Sequence, residues 1–449
     1  MTMIPVFEDE IVHFLQSLIQ FNTSNPPGNE TPAAEWIARV LRNEGLEPVV
    51  LESAPLRGNV VTCLKGTGEE EPLLLMSHID VVPVEEDKWE HPPFGGEIHD
   101  GYIWGRGALD MKGIVAQHLT LMVLFTRLAK QGIRLKRDLI MMAAADEERA
   151  GTFGALWLVE HHPDLIRAEY ALNEGGGNTT KVGDALLMNI QTAEKGLARF
   201  KMTVRGEPGH ASVPRSDNTV VRLAEAIVAI GKAQPPAHIT PTAKAYIEAM
   251  ASTQPDDVGA LMLNVVAPGA DVKAAIDALP LEENHKRYLY AITHNTAAPT
   301  IVNAGSKINV FPSEVVARVD GRTLPGFGLE EYRAEYAPFL PEGVEMEFED
   351  DGPALEASLE SPLYDAIVRA VQTHAADSTL VPTLLTGATD AKAIVQLGTK
   401  IYGFAPSRYE AAVDGERLVH GHNERISIAN LVYGAQVLYD VIWDFCGNK

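Results

Sequence analysis

Seven residues stand where apolar runs or glycine-rich turns could hold them for chemistry: His78, Asp80, Asp110, Glu147, Glu148, Glu174 and His420. His78 and Asp80 close the run Leu73-Leu-Leu-Met-Ser-His-Ile-Asp80. Residues two apart on a strand face the same side, so the Asp80 carboxylate can reach a ring N–H of His78, set its tautomer and leave the other nitrogen for a metal. An ordinary surface His–Asp pair would read the same way. Asp110 follows Trp104-Gly-Arg-Gly-Ala-Leu at the start of a long apolar stretch, a place suited equally to a helix N-cap and to a carboxylate shared by two ions. Asp146, Glu147 and Glu148 end the apolar run that starts at Leu139. Neighbouring strand-end residues point in different directions, so one Glu can ligate while the other faces a water as its base; three acids in a row also make a plain solvated loop. Glu174 precedes three glycines, which permit unusual backbone angles and close approach, and His420 and His422 share the stretch Leu418-Val-His-Gly-His-Asn-Glu424. Two imidazoles with several carboxylates and no sulfur suit zinc, cobalt or manganese in a two-ion hydrolytic site, where the ions share a carboxylate and an activated water.

The elements that must position these groups follow from periodicity. Phe7, Ile11, Phe14, Leu15, Leu18 and Ile19 recur at helical spacing, and Asn25-Pro-Pro-Gly ends that helix. A second helix is expected with Thr31 as its cap and Pro32 in its first turn. Strands are expected over Glu47–Leu51, Asn59–Leu64, Leu73–Met76, Asp138–Ala145 and Tyr170–Asn173, and helices over Met111–Lys130 and Gly154–His161. Strands alternating with helices predict an α/β fold, a mixed sheet covered by helices. The pattern changes after Glu194-Lys-Gly: strands at Arg199–Val204, Lys307–Val310, Glu314–Val319 and Val344–Glu349 flank a helix at Thr219–Gln234. This reads as an α+β domain, residues 195–352, inserted into a catalytic domain split between 1–194 and 353–449.

Composition narrows the partners. Across 449 residues, 37 Lys plus Arg face 61 Asp plus Glu, a formal charge of −24. Such a chain repels nucleic acid and anionic membranes, so neither is expected as a partner, and an anionic substrate would need its own Arg or metal. Two cysteines make no disulfide framework. The first ten residues lack a basic segment followed by an apolar one, and no run is long enough to span a bilayer. The expected location is cytoplasmic.

The ordered set Ser77-His-Ile-Asp-Val-Val-Pro, Gly105-Arg-Gly-Ala-Leu-Asp-Met-Lys-Gly, Asp146-Glu-Glu, Asn173-Glu-Gly-Gly and His420-Gly-His-Asn-Glu resembles the M20 metallopeptidases, which include aminoacylases, glutamate carboxypeptidases, carnosinases, carboxypeptidase S and succinyl-diaminopimelate desuccinylases. The resemblance covers nearly the whole chain. It implies His78 on one metal with Asp80 orienting it, Asp110 bridging both metals, Glu147 as general base, Glu148 on the second metal, Glu174 with His78 on the first, and His420 rather than His422 as the last ligand. It implies that the inserted block is a lid that also dimerises. There Gly209-His210-Ala-Ser-Val-Pro supplies His210 to polarise the scissile carbonyl, and Lys307-Ile-Asn-Val-Phe-Pro and Val319-Asp-Gly-Arg supply Asn309 and Arg322 for the substrate carboxylate or the oxyanion. Gly387-Ala-Thr-Asp390 resembles a substrate loop, with Thr389 as the contact. Histidines outside these motifs, His91 and His99 among them, receive no role.

The expected function is hydrolysis of an amide in an N-acyl-amino acid or a short peptide with a free carboxylate. Two divalent ions, zinc first and cobalt or manganese as alternatives, would hold the attacking water, and the chain would work as a homodimer. A specialised deacylase such as a desuccinylase or acetylornithine deacetylase is the alternative enzyme. A catalytically silent binding protein is the non-enzyme alternative, and the intact ligand set argues against it.

Overall fold

The computed structural model describes residues 8–182, 184–411, 413 and 415–447. Phe7, read above as the start of the first helical stripe, lies outside the described residues. They form two compact units, one of residues up to Thr192 with Ala357–Pro382 and the described residues from Thr389 on, the other of Ala193–Glu356 with Thr383–Ala388.

In the first unit a mixed sheet runs in the order Val49–Glu52, Gly58–Leu64, Arg137–Ala144, Glu70–His78, Tyr170–Asn173, Lys400–Gly403, Ala185–Glu194. Its central strands are parallel: Glu70–His78 pairs in parallel with Arg137–Ala144 and with Tyr170–Asn173, and Lys400–Gly403 joins the last of these in parallel. Leu73, Leu74, Leu75 and Met76 are wholly buried, as strands covered on both faces must be. Each such side chain contributes about 1.5–3 kcal/mol relative to exposure, so the register of this strand is strongly fixed. The mixed α/β sheet is the fold class that the alternation of elements predicts.

Helices cover the sheet. Lys112–Lys130 is buried nearly along its length, and Ile428–Cys446 packs against it, with Phe125 stacked on Tyr439 at 5.2 Å between ring centres. The second helix, Thr31–Asn43, has its cap one residue earlier than expected: Glu30 takes the cap position, Thr31 is the first helical residue, and the Thr31 hydroxyl donates to Glu52 Oε1 at 2.7 Å.

The second unit is an antiparallel sheet in the order Thr296–Ala304, Glu314–Thr323, Gly196–Arg205, Val344–Gly352, with the helix Thr219–Gly231 packed on it. Phe200, Met202, Leu223, Ile230, Val319 and Tyr332 fill the core between them. The expected strand at Lys307–Val310 is shorter and later, at Val310–Phe311, where it pairs with Gly209–His210. Residues 307–310 close a turn instead, in which the Val310 amide donates to the Lys307 carbonyl at 3.2 Å.

Candidate metal centre

Parallel strands deliver their last residues to the same edge of a sheet. His78 lies opposite Ala144, and Leu75 opposite Leu172. The register therefore places His78, the Asp146–Glu148 turn and Glu174 side by side. Glycine completes the last of these. Gly175 and Gly177 take positive φ, and a Cβ on Gly176 would sit 2.4 Å from the Gly403 carbonyl oxygen and 2.5 Å from the Gln191 nitrogen. The loop that carries Glu174 is thus packed too closely against its neighbours for any side chain.

Asp110 and His420 arrive from outside the sheet, and Glu424 joins them. Its buried carboxylate accepts from the amides of Gly107, Leu109 and Asp110 at 3.0, 2.8 and 3.1 Å and from Arg106 Nη1 at 2.6 Å. The strand Arg425–Ser427, directly after it, pairs with Tyr102–Trp104. The chain end that carries His420 is fastened in this way to the loop that carries Asp110. Met111 occupies the cap position of the following helix without a side-chain cap, which leaves the Asp110 carboxylate free to point elsewhere.

It points between two histidines. Asp110 Oδ1 lies 3.2 Å from His78 Nε2, and Oδ2 lies 3.1 Å from His420 Nε2. His420 Nε2 is also 3.1 Å from Glu148 Oε2, and His78 Nε2 is 3.8 Å from Glu174 Oε1. Ligand atoms of His78, Asp110 and Glu148 fall within 4.8 Å of one another, and so do those of His78, Glu147 and Glu174. Two ligands ~2.1 Å from one tetrahedral ion stand roughly 3.4 Å apart, so these spacings fit divalent cations, and the all-nitrogen-and-oxygen donor set fits zinc, cobalt or manganese. His422 is elsewhere, its Nε2 2.9 Å from Glu85 Oε2 on the surface.

Asp80 sits beneath this group and is wholly buried. His78 Nδ1 lies 3.0 Å from the Asp80 backbone carbonyl and 3.4 Å from its carboxylate, so the main chain provides the nearer partner. The carboxylate accepts chiefly from the loop of acids: from the Glu147 amide at 3.1 Å, the Glu148 amide at 3.2 Å and Asn25 Nδ2 at 2.8 Å. Asn25 Nδ2 also donates to Asp146 Oδ1 at 2.9 Å, and Arg57 Nη2 donates to the same oxygen at 2.7 Å while its Nε pairs with Glu30 Oε2 at 2.9 Å.

Burial and crowding set the protonation of the ion-free chain. Burial, followed by the neighbouring charges of Glu174, Asp390 and Glu148, pushes the Glu147 carboxyl well up against the opposing pull of His78. Glu174 is pushed up to about 8 by burial with Asp110, Asp390 and Glu148 nearby. His420 is raised to about 10 by its bonds to Asp110 and Glu148. Asp110 goes the other way: burial opposes its charge, and His420 and His78 outweigh burial.

Among the remaining expected residues, Thr389 is buried, and its hydroxyl accepts from Asn173 Nδ2 at 2.9 Å and from the Ala391 amide at 3.1 Å. It thereby steadies the residue before Glu174. His210, Asn309 and Arg322 belong to the second unit. There His210 is exposed and its Nδ1 lies 2.8 Å from Ser212 Oγ, while the Asn309 carbonyl accepts from the Ala211 amide at 3.0 Å. Arg322 Nε and Nη2 pair with Asp320, and its buried Nη1 has no partner among the described residues. Sequence reasoning left out Asn25, Arg57, Asp146 and Asp390. The last is a buried carboxyl raised to about 7 by burial, and its Oδ2 has no partner among the described residues. The acid run, the Asn-Pro-Pro-Gly turn and the Gly387-Ala-Thr-Asp390 motif contained Asp146, Asn25 and Asp390 without assigning them a role, and nothing hinted at Arg57.

A profile of the peptidase family M20/M25/M40 matches residues 74–444. The chain is 30% identical over 367 residues to the N-fatty-acyl-amino acid synthase/hydrolase PM20D1 of Xenopus tropicalis, covering 79% of this chain and 69% of that protein. It is 26% identical over 450 residues to aminoacylase-1A of Rattus norvegicus, covering 96% and 94%. Its fold matches the M20 family metallo-carboxypeptidase Sso-CP2 of Sulfolobus solfataricus with a TM-score of 0.68 at 17% identity, over 97% of this chain and 99% of that one. Among the described residues no helix is long and apolar enough to cross a membrane.

Proposed function

The chain belongs to peptidase family M20/M25/M40 and is a metallo-amidohydrolase; from that premise we propose that it cleaves the amide bond of an N-acyl-amino acid, or of a short peptide with a free carboxylate, at a centre for two divalent ions. The observation that carries the reading is the Asp110 carboxylate, one oxygen toward His78 and the other toward His420. We assign His78, Asp110 and Glu174 to one ion and Asp110, Glu148 and His420 to the other, with zinc as the ion. When bound, the ions supply Lewis acidity that polarises a carbonyl and acidifies water.

The chain's own groups do the rest. Glu147 takes the proton from the attacking water and returns it to the leaving nitrogen, a role for which its raised affinity for protons suits it. Asp80 holds the Glu147 and Glu148 amides and so aims both carboxylates. From the second unit we assign His210 to donate to the carbonyl oxygen, and Arg322 and Asn309 to bind the substrate carboxylate. The unpartnered Nη1 of Arg322 supports this, since a guanidinium edge is matched to a carboxylate. Thr389 is assigned to the substrate loop, through Asn173 and Glu174. We read residues 1–194 and 353–449 as the catalytic domain and 195–352 as its lid, in a cytoplasmic homodimer. The names of the relatives, an N-fatty-acyl-amino acid hydrolase and an aminoacylase, favour the N-acyl substrate over the dipeptide.

The test is a panel of N-acyl-amino acids, dipeptides, N-succinyl-diaminopimelate and N-acetylornithine, offered to wild type and to Glu147→Gln after zinc, cobalt or manganese is restored. N-acyl-amino acids should turn over fastest, chelation should abolish turnover, and the Gln variant should lose about 100- to 10,000-fold in kcat with its metal content unchanged. Wild-type turnover by the Gln variant removes the base assignment, and preference for either acylated diamino acid moves the chain to the specialised deacylases.

A further inference from the structure

A second group of metal-ligating side chains lies outside the candidate centre. His91, Glu97 and His99 each offer a donor atom within 4.8 Å of the other two. His99 Nε2 is 2.8 Å from Glu97 Oε2, and His91 Nδ1 is 4.0 Å from the same oxygen. Both imidazoles therefore turn a nitrogen toward one carboxylate oxygen. All three side chains are partly exposed, with relative exposures of 27%, 45% and 38%, so an ion could enter from solvent without opening the fold.

Strand pairing and hydrogen bonds fix the backbone beneath them. Ile98–His99 and Tyr102–Trp104 form an antiparallel hairpin, which Arg425–Ser427 extends. The Trp104 amide donates to the Glu97 carbonyl at 2.9 Å, and Gln16 Nε2 donates to the Gly96 carbonyl at 2.7 Å. Trp104 and His91 meet in a T-shaped contact, 4.6 Å between ring centres, and Arg425 lies over the Trp104 ring at 4.4 Å. Glu97 and His99 thus stand two apart on a fixed edge, and Trp104 holds His91 over them.

We propose that His91, Glu97 and His99 form a third, exchangeable transition-metal site, separate from the candidate hydrolytic centre. Two imidazoles and one carboxylate make a facial set of three ligands that leaves a zinc ion room for solvent. The two rings are stacked, 3.6 Å between their centres and 7° from parallel, whereas an imidazole lone pair lies in the plane of its ring. Ion binding must therefore open the stack by turning one ring or both about its Cβ–Cγ bond. This motion is available to side chains that are partly in solvent. The site also touches the arm that carries His420, because the Glu90 amide donates to Asn423 Oδ1 at 2.8 Å and Asn423 Nδ2 donates to Glu90 Oε1 at 3.0 Å.

The test is zinc stoichiometry by equilibrium dialysis and elemental analysis across a range of free zinc, on the full chain as purified. Wild type should bind one zinc per chain more than His99→Ala, and His91→Phe, which keeps a ring against Trp104, should lose the same single equivalent. His78→Ala should keep it. Restoring with cobalt should give wild type an absorption component that His99→Ala lacks. Equal zinc in wild type and both variants at every free concentration overturns the site and leaves the cluster as a stacked histidine pair bonded to Glu97. Because the readout is the difference of one ion, it does not depend on how many the hydrolytic centre holds.

Discussion

Asp80→Asn separates the charge of the buried acid from its shape. In the folded chain Oδ1 accepts the Glu147 amide at 3.1 Å, and Oδ2 accepts the Glu148 amide at 3.2 Å and Asn25 Nδ2 at 2.8 Å. An asparagine has one acceptor oxygen. Whichever way its amide turns, its NH2 group faces at least one of these N–H donors. A hydrogen bond to a charged acceptor contributes about 1.5–3 kcal/mol, so losing one lowers the share of correctly aimed Glu147 and Glu148 by roughly 10- to 150-fold at ~1.4 kcal/mol per decade. The carboxyl is held below its usual range, because bonds from His78, Asn25 and the Glu148 amide outweigh the burial that opposes its charge. It is therefore ionised at neutral pH, and the defect should not vary between pH 6 and 8. The assay is kcat, KM and metal content of wild type, Asp80→Asn and Asn25→Ala, with thermal melts to confirm folding. We expect kcat to fall about 10- to 100-fold in Asp80→Asn, as for other groups that orient metal ligands, with KM changed less than kcat. Asn25→Ala, which leaves the carboxylate in place, should lose less. A folded, metal-replete Asp80→Asn with kcat within twofold of wild type would refute the reasoning, and so would an Asn25→Ala defect larger than the Asp80→Asn defect.

Two further outcomes follow from the geometry. His420→Ala should lose bound metal and activity together, while His422→Ala, which removes only a surface contact with Glu85, should stay within about twofold of wild type, since exposed pairs contribute little; the reverse pattern would exchange the two histidines. In the ion-free chain the Glu174 carboxyl is raised from its ordinary 4.5 to about 8, so the stability it contributes is fully present below about 4.5 and is lost as pH rises through about 8. The gain in Tm on adding zinc to chelator-treated protein should therefore grow from pH 5 to pH 8 with release of protons, and a gain that is flat or shrinks with pH would contradict the crowding of these acids.

What the sequence made legible was whatever repeats with a period or ends a run. Leu73–Met76 and Leu139–Ala145 are uninterrupted apolar stretches, and the acids and histidine at their ends had to emerge at one sheet edge once the strands were parallel. His420 could be paired with them only through the resemblance to known motifs, because more than 240 residues separate it from Glu174 and no periodicity connects them. The supporting shell left little trace. Arg57 follows an ordinary turn and Asn25 an ordinary helix end, yet the two converge on Asp146 across 89 and 121 residues. Such contacts depend on the tertiary approach of loops, on which local propensity is silent. The same limit explains the misplaced cap at Thr31: the buried Glu30, ion-paired with Arg57, takes the cap position, while the Thr31 hydroxyl is drawn to Glu52.

The charge arrangement gives the centre its purpose in folding as well as in chemistry. Asp110, Glu147, Glu148, Glu174 and Asp390 converge where His78 and His420 bring compensating protons and Lys392 adds a charge near Asp390. The ion-free chain copes by keeping protons: Glu147 and Glu174 are raised by burial and mutual repulsion, Asp390 is raised to about 7 by burial, and His420 is raised to about 10 by its two carboxylate neighbours. Divalent cations would displace those protons and neutralise the same carboxylates without rearranging them, because Glu424, Asp80 and the Arg57–Asn25–Asp146 bonds already hold the loops. A site preorganised in this way takes up metal with little conformational cost, and its affinity is limited by the protons it must release. On this reasoning, substitutions in the supporting bonds should change the geometry of catalysis, whereas substitutions among the converging acids should change metal affinity and its pH dependence.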